Sequence, residues 1–318
     1  MKEKSDLGSP LGPQPEFIPT SQGVLGPDSR LAPLERQIVK LSERIDALER
    51  AVEFLCSQTK HPVEILLRQN GFPVADHGGQ AQILFPPNIA PKSLTLFYGM
   101  MRRYSFRLFM RDLIRLPEGD DLAALTRYCS LRTVKSYLGT LAEMGIVLLT
   151  EGGYRLLRKV PSFGPTLEWY VCEVLRREFL SPALFNVKLQ NTRFGGDYDV
   201  IAIVAGHLVY IEVKSSPPRG VEHQAVEAFL GRLRDLEPAM AVLFVDTELR
   251  MRDKLVPMLA DGLEAEGKTG GDWAVERLVN EIYHVRHSIY VINSQKGVYS
   301  NLRTCFRDFL LWSRKLSL

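Results

Sequence analysis

The chain has 318 residues, of which 45% are hydrophobic and 24% charged, a composition that suits two folded domains plus an appendage. No apolar run approaches the roughly 18 residues of a membrane-spanning helix, and no apolar signal segment follows the N-terminus, so we expect no membrane partner. The net charge of +3 does not by itself indicate a nucleic-acid binder, while four widely spaced cysteines argue against a disulfide framework or a zinc site and favour a cytoplasmic location.

Residues 1–30 are rich in proline, glycine and serine and show no periodicity, which predicts a disordered tail. A heptad repeat follows in residues 31–56, with leucine at every d position and a β-branched residue at every a position. The repeat consists of Leu34, Ile38, Leu41, Ile45, Leu48, Val52 and Leu55. These residues favour a parallel two-stranded coiled coil, in which Arg44 at g would face Glu49 at e of the partner. We therefore predict a homodimer formed through residues 34–55; the alternative is an amphipathic helix that packs on its own chain.

Residues 57–92, with one predicted helix at 63–69, are interpreted as a connector. The segment that follows, residues 93–160, has the pattern of three helices and a β-hairpin. The helices are expected at 96–114, 122–128 and 131–144, and the strands at 146–150 and 154–158. This order resembles the winged-helix domain of transcription regulators, and the segment SLRTVKSYLGTLAEMGIVLLTEGGYRL resembles the second and third helices and the wing of those proteins. The resemblance implies a nucleic-acid-binding domain.

Basic side chains fall on the two elements of that segment that usually contact nucleic acid. Arg132 and Lys135 lie on the predicted solvent face of the third helix, and Arg155 and Arg158 lie on the predicted wing. Such side chains reach phosphates and base edges from a helix in the major groove. We therefore predict binding to nucleic acid, with double-stranded DNA as the expected partner; the alternative is a domain that packs against another protein.

The C-terminal half, residues 161–318, alternates between helix and strand patterns. Helices are expected at 167–180, 222–236, 250–266, 273–283 and 298–315, and strands at 184–190, 198–204, 207–214, 240–246 and 288–292. This alternation predicts an α/β domain with a mixed sheet.

Three charged residues mark a predicted hairpin within that domain. Its strands, 199–204 and 208–214, are separated by a tight turn and should pair antiparallel. Because side chains alternate along a strand, Glu212 and Lys214 share one face, and closing the hairpin brings Asp199 to the same end. Burying these charges at the edge of an apolar sheet is costly unless they pair or bind a metal, and two carboxylates suit Mg²⁺ or Mn²⁺.

This strand–turn–strand unit resembles the PD-(D/E)XK nuclease superfamily, which has the restriction-endonuclease-like fold. The Asp of that motif matches Asp199, and its Glu-x-Lys matches Glu212 and Lys214; Tyr198 stands where the motif has proline. The resemblance implies that Asp199 and Glu212 bind the metal and that Lys214 acts on the attacking water or the phosphate. Asp197, a competing aspartate, is expected to lie in the glycine turn before the strand.

Two further residues are candidates for the same site. Glu168 begins the predicted inward stripe of the 167–180 helix, where the superfamily often places a glutamate; alternatively, it is an acid that stabilises the first turn of a helix. Gln224, or His223 beside it, could contact substrate from the helix that follows the hairpin. Glu173 is expected to form only a solvated pair with Arg177.

The sequence therefore predicts an α/β fold with a restriction-endonuclease-like mixed sheet flanked by helices, preceded by a coiled-coil helix and a winged-helix domain. The expected function is a Mg-dependent nuclease that hydrolyses DNA phosphodiester bonds, most simply an endonuclease, with Glu168, Asp199, Glu212 and Lys214 as its catalytic residues. The alternatives are a DNA-binding regulator, or a scaffold, in which a degenerate nuclease fold does not cleave.

Overall fold

The structure, a computed structural model, describes residues 27–58, 60–79 and 82–316. The predicted tail lies outside the described residues up to position 26, and its last four residues, 27–30, are not a disordered tail, because the first helix already begins at Pro27. The chain divides into two compact units, residues 1–60 and residues 61–318. Among the described helices, none is both long enough and apolar enough to cross a membrane.

The first unit contains one long helix, α1, which spans Pro27–Gln58. The predicted heptad helix is thus confirmed as a helix. Its seven heptad side chains, from Leu34 to Leu55, are each between 53% and 63% exposed. An apolar stripe that is more than half exposed along its whole length leaves a large area that association could remove from water.

The second unit contains eight helices and eleven strands within its described residues. The helices are α2 (Pro62–Gln69), α3 (Pro91–Met101), α4 (Tyr104–Arg115), α5 (Leu131–Glu143), α6 (Gly164–Glu178), α7 (His223–Leu236), α8 (Leu255–Ala265) and α9 (Val298–Leu316). The strands are β1 (Val74–Asp76), β2 (Glu118–Gly119), β3 (Val147–Leu149), β4 (Tyr154–Leu156), β5 (Ala183–Leu189), β6 (Asp197–Val204), β7 (His207–Lys214), β8 (Met240–Val245), β9 (Glu276–Val279), β10 (Ile282–Val285) and β11 (Ile289–Ile292).

The large sheet has eight strands in the order β1-β5-β6-β7-β8-β11-β10-β9. The pairs β7–β8 and β8–β11 are parallel and the other pairs are antiparallel, which confirms the predicted mixed sheet. A separate sheet of three short strands has the order β2-β4-β3. The predicted hairpin β6–β7 is also confirmed, with Val204 opposite His207 across a turn made by Ala205 and Gly206. Both turn residues have positive φ, 49° and 83°, as the tightest hairpin connections require.

One predicted helix, at 273–283, is wrong, because the structure has strands β9 and β10 there. The two strands pair antiparallel, and Asn280, which has a φ of 51°, lies in the turn that joins them. The apolar residues that suggested a helical period belong to two short strands, and the β-branched and aromatic side chains of β10 favour a buried strand. The helix expected at 96–114 is in fact two, α3 and α4, and the helix expected at 122–128 is only a 3₁₀ turn over Leu122–Leu125.

Two apolar cores lie on opposite sides of the large sheet. One combines side chains of α3, α4, α5, α6 and α9 with one face of the central strands. The other lies between the opposite face and α2, α7 and α8. The helices α3–α5 therefore share a continuous core with the sheet, which holds the N-terminal part of this unit and the β6–β7 hairpin in one body.

A buried ionic cluster also joins α4 to the sheet. Nε of Arg107 donates to Oδ1 of Asp246 at 2.9 Å and its Nη2 donates to Oγ of Ser294 at 2.9 Å, while Nη2 of Arg111 donates to Oδ2 of Asp246 at 2.5 Å. Arg107 and Asp246 are 1% and 0% exposed. Asp246 directly follows β8, and its backbone N–H donates to the carbonyl of Lys214 at 2.8 Å. We call these four residues, Arg107, Arg111, Asp246 and Ser294, the α4 clamp.

Candidate functional site

The hairpin β6–β7 opens at one end, and Asp199 lies at the opening. The backbone register runs from Val204 opposite His207 to Val200 opposite Ile211. Beyond that last pair, the N–H of Val213 donates to Oδ2 of Asp199 at 2.6 Å. A side-chain carboxylate thus takes the place of a strand carbonyl, which aims Asp199 into the space between the separating strands.

Glu212 lies on the neighbouring strand and is almost fully buried, at 1% exposed. Its Oε1 accepts hydrogen bonds from Nζ of Lys214 at 2.5 Å and from Nη1 of Arg232 at 3.2 Å. Its Oε2 accepts from the same Nη1 at 3.0 Å and from the hydroxyl of Tyr210. Tyr210, Glu212 and Lys214 are two residues apart along β7 and therefore share one face of the strand, as the alternation predicted for the last two.

Glu168, on α6, is the third acid at this opening. Burial raises its pKa to about 7, with a further increase from the charge of Glu212, while Lys214 acts in the opposite direction. The pKa of Asp199 is raised well above its usual value by burial first, and then by Glu212 and Glu168. The four predicted catalytic residues therefore form one electrostatically coupled group, in which Lys214 and Glu212 are in direct contact.

Arg232, on α7, belongs to the group as well and did not emerge from the sequence. Its guanidinium carbon lies 6.0 Å from the centre of the Tyr198 ring, and its side chain is 17% exposed. A signal for it was present: Ala225, Phe229, Arg232 and Leu236 follow the helical spacing of an inward stripe. The criterion that selected Glu168, a charge on an apolar stripe, selects Arg232 equally.

Two expectations about neighbouring acids are wrong. Asp197 is the first residue of β6, paired opposite Lys188 of β5, and does not lie before the strand. Glu173 does pair with Arg177, at 2.6 Å, but it is only 8% exposed and also accepts from Arg176 at 3.1 Å. It is therefore a buried double ion pair on α6, and the apolar neighbours of that helix explain why it needs two arginines.

Gln224 is exposed and lies away from the carboxylates. It lines a groove of about 450 Å³ beside α8, together with residues such as Glu227 and Gly262. Eight residues of helix, or about 12 Å along the axis, separate it from Arg232. His223, the first residue of α7, is exposed too. The structure therefore does not bring either residue to the opening of the hairpin.

The predicted nucleic-acid-binding residues lie on α5 and on the small sheet. Ser130 caps α5 as expected, with its Oγ accepting from the N–H of Thr133 at 3.3 Å. Arg132 and Lys135 are exposed on this helix, and Arg155 is exposed on β4. Arg158 differs from them, because it is half-buried and its Nη1 donates to the carbonyl of Phe85 at 3.2 Å.

The donor set at the opening suits a hard cation with few protein ligands. Carboxylate oxygens are the ligands that Mg²⁺ prefers, and burial, followed by the charge of Glu212, raises the pKa values of Asp199 and Glu168, an effect that a bound cation would oppose. Within the described residues, however, no group of three or more His, Cys, Asp or Glu is arranged to hold a metal. The residues therefore fit an ion held by Asp199 and Glu212 that keeps several waters, and they do not form a closed cage.

No protein-family model matches the chain, and no curated protein matches it significantly. Among solved structures, protein VC1899 from Vibrio cholerae is similar over 57% of this chain and 52% of that one, with 19% identity and a TM-score of 0.39. Can2 from Sulfobacillus thermosulfidooxidans, solved in complex with cyclic tetra-adenylate, is similar over 76% and 59%, with 14% identity and a TM-score of 0.42. The chain spans between half and three fifths of these proteins. At such values the similarity carries no argument about function, which must come from the site itself.

Proposed function

We propose that this protein is a metal-dependent nuclease that hydrolyses phosphodiester bonds in DNA. The observation that carries the proposal is the coupled group at the opening of the β6–β7 hairpin. Three carboxylates, those of Glu168, Asp199 and Glu212, interact electrostatically with Lys214, which contacts Glu212 directly, and two of them have raised pKa values. Titratable groups perturbed by burial and by one another are typical of active sites.

The residues present suggest a division of roles. A Mg²⁺ ion held by Asp199 and Glu212 would stabilise negative charge on the phosphate and make water more acidic. Lys214 is 26% exposed, so its ammonium can approach a substrate phosphate while Glu212 fixes its position. Glu168, with a pKa of about 7, can accept a proton from an attacking water near neutral pH.

A second candidate is a DNA-binding protein in which this site does not cleave. One observation favours it: both oxygens of Glu212 already have donors within the chain, from Lys214, Arg232 and Tyr210. A buried carboxylate satisfied in this way does not require a metal for stability. The two candidates differ in whether divalent cations support cleavage.

For nucleic-acid binding we propose that α3–α5 and the β3–β4 hairpin act as a winged-helix unit. The order of these elements and the exposure of Arg132, Lys135 and Arg155 support this assignment. We propose further that two copies associate through α1, because its seven apolar heptad positions are each more than half exposed and its g and e positions offer Arg44 and Glu49.

Plasmid nicking with the full chain tests the nuclease proposal. We expect nicking with Mg²⁺ or Mn²⁺ and none in a chelator. Lys214→Ala should reduce nicking by more than about 100-fold, because it removes transition-state charge stabilisation, and it should not weaken Mn²⁺ binding, since lysine is no ligand. Asp199→Asn should weaken both the nicking activity and the binding of Mn²⁺.

The contrast between the two variants is the informative result. Residual nicking that is equal in the wild type and in Lys214→Ala would mean that the activity comes from a contaminant. The non-cleaving candidate would then stand.

A further inference from the structure

Arg232 contacts Glu212 in an arrangement that differs from the strongest arginine–carboxylate pairs. A single nitrogen, Nη1, donates to both carboxylate oxygens, at 3.2 Å and 3.0 Å. The strongest pairs instead use two nitrogens in two parallel bonds. One shared nitrogen gives a weaker and more easily exchanged contact, although the carboxylate is buried.

The rest of the guanidinium lies in a slot that leaves polar atoms unused. Nε of Arg232 is buried and makes no hydrogen bond to any described residue, and the same is true of the Tyr198 hydroxyl. On the other side, a Cβ at Gly196 would lie 2.9 Å from Nη2 of Arg232, and the φ of 81° at that position favours glycine. The slot between Tyr198 and Gly196 thus fits the side chain closely, yet Arg232 uses little of its donor capacity there.

We propose that Arg232 is a resident counter-cation of the site, which occupies and positions the Glu212 carboxylate until a divalent cation takes its place. The proposal rests on the proposed function only in treating Glu212 as a ligand of the ion. Arg232 and the ion require the same two oxygens, so they compete, and the Tyr198 ring keeps the guanidinium in its slot when Glu212 is released. Arg232 is therefore a positioning residue.

Mn²⁺ titration calorimetry on the full chain, with the metal alone as ligand, tests the competition. Arg232→Gln should bind Mn²⁺ about tenfold more tightly than the wild type, because one competing cation is gone. Arg232→Lys, which retains a cation, should stay within about threefold of the wild type. The matched control is Arg234→Gln on the same helix, since Arg234 pairs with Glu266 at 3.3 Å and has no recorded contact with Glu212; its Mn²⁺ affinity should not change.

The nicking rate at saturating Mn²⁺ provides the second readout. Arg232→Gln should nick at about the wild-type rate although it binds the metal more tightly, because at saturation the ion has displaced Arg232 from Glu212 in both proteins. A purely structural role would lower both quantities together. An Mn²⁺ affinity of Arg232→Gln that equals or falls below that of the wild type, with the affinity of Arg234→Gln unchanged, overturns the proposal.

An NMR measurement covers the case in which Arg232→Gln does not fold. The buried Nε–H of Arg232 should give a slowly exchanging arginine signal, identified by its loss in Arg232→Lys. Mg²⁺ should shift this signal in the wild type, and a signal that does not move overturns the proposal.

Failure of the proposed function is distinguishable from failure of this inference. If the wild type neither binds Mn²⁺ nor nicks while Arg232→Gln binds Mn²⁺, the counter-cation role stands and the nuclease proposal falls. If the wild type binds Mn²⁺ and nicks DNA while Arg232→Gln has the same Mn²⁺ affinity, the nuclease proposal stands and the counter-cation role falls. If neither protein binds Mn²⁺, both proposals fall.

Discussion

The acids at the opening of the hairpin differ in how their charge is balanced. Glu212 accepts hydrogen bonds from two cations, Lys214 and Arg232, whereas Asp199 accepts one from a backbone N–H. The charge of Glu168 is balanced by the longer-range attraction of Lys214. Burial raises the pKa values of Asp199 and Glu168, and the charge of Glu212 raises both further. A cation bound here would favour the charged carboxylates, so its binding would be coupled to the release of protons.

The raised pKa of Glu168 predicts how stability depends on pH. The folded protein keeps this proton up to about pH 7, whereas the ordinary value is 4.5. Between these values the folded state binds more protons than the unfolded state, so the contribution of Glu168 to stability is full below the lower value and is lost as pH rises through the upper one. Glu168→Gln should remove this part of the dependence.

Thermal melts of both proteins in a chelator, at several pH values from 4.5 to 8, measure this effect. The difference in melting temperature between Glu168→Gln and wild type should grow in favour of the variant as pH rises. A constant difference across the series would contradict the prediction.

Three of the site residues could be predicted because they lie on one local unit. A two-residue turn and the alternation of side chains place Asp199, Glu212 and Lys214 at one end of a hairpin without reference to the rest of the chain. The number of donors to Glu212 could not be predicted in this way, because one of them, Arg232, lies on α7, about twenty residues later. Its position depends on how that helix packs on the sheet.

At the scale of elements, the α4 clamp is the most buried ionic contact described between a helix and the large sheet. Arg107→Ala should destabilise the fold by about 3 kcal/mol, because it leaves the buried Asp246 with only Arg111 as a cationic partner. The control is Arg102→Ala at the end of α3, whose side chain is 57% exposed and lies 3.7 Å from Glu178, itself 26% exposed; its loss should cost under about 1 kcal/mol. Urea denaturation measures both, and similar losses would show that the clamp contributes no more than a surface pair.

The coiled-coil prediction belongs to the same scale. Ile45→Asp places a charge at an a position and should convert the proposed dimer to a monomer. Val39→Asp, on the same helix at a b position and with the native side chain 56% exposed, should leave the dimer intact. Light scattering at tens of micromolar distinguishes the two, since specific dimers are populated in that range. A monomeric wild type would rule out association through α1.

Element by element, periodicity predicted long helices and the central strands and failed on short segments. Strands β9 and β10 are four residues each, too short to show a period of two against a helical period. The parallel pairing of β8 with β11 joins segments that are more than forty residues apart, so no local pattern indicates it. Register within β6–β7 was predictable because the turn fixes it.

At the scale of the whole molecule, a net charge of +3 leaves DNA binding dependent on where the basic residues lie. Arg132→Ala combined with Lys135→Ala should weaken DNA binding and lower the slope of log affinity against log salt by about 2, because each phosphate contact contributes about one unit. A charge-matched control, Lys40→Ala with Arg50→Ala on α1, should leave the slope unchanged. Fluorescence anisotropy over a salt series measures it; an unchanged slope in the first variant would mean that α5 does not dock on DNA.

Contacts run without interruption from α5 to the site. The ring of Tyr137 on α5 lies 4.9 Å from that of Phe106 on α4, Arg107 beside it bonds Asp246, and the N–H of Asp246 bonds the carbonyl of Lys214. Every link is a buried packing or hydrogen-bond contact, so the helix that would read the DNA and the lysine that would act on it have little freedom to move apart. On the proposed function, the number of nucleotides between the sequence that α5 binds and the bond that is cleaved would therefore be constant, whatever bases lie between.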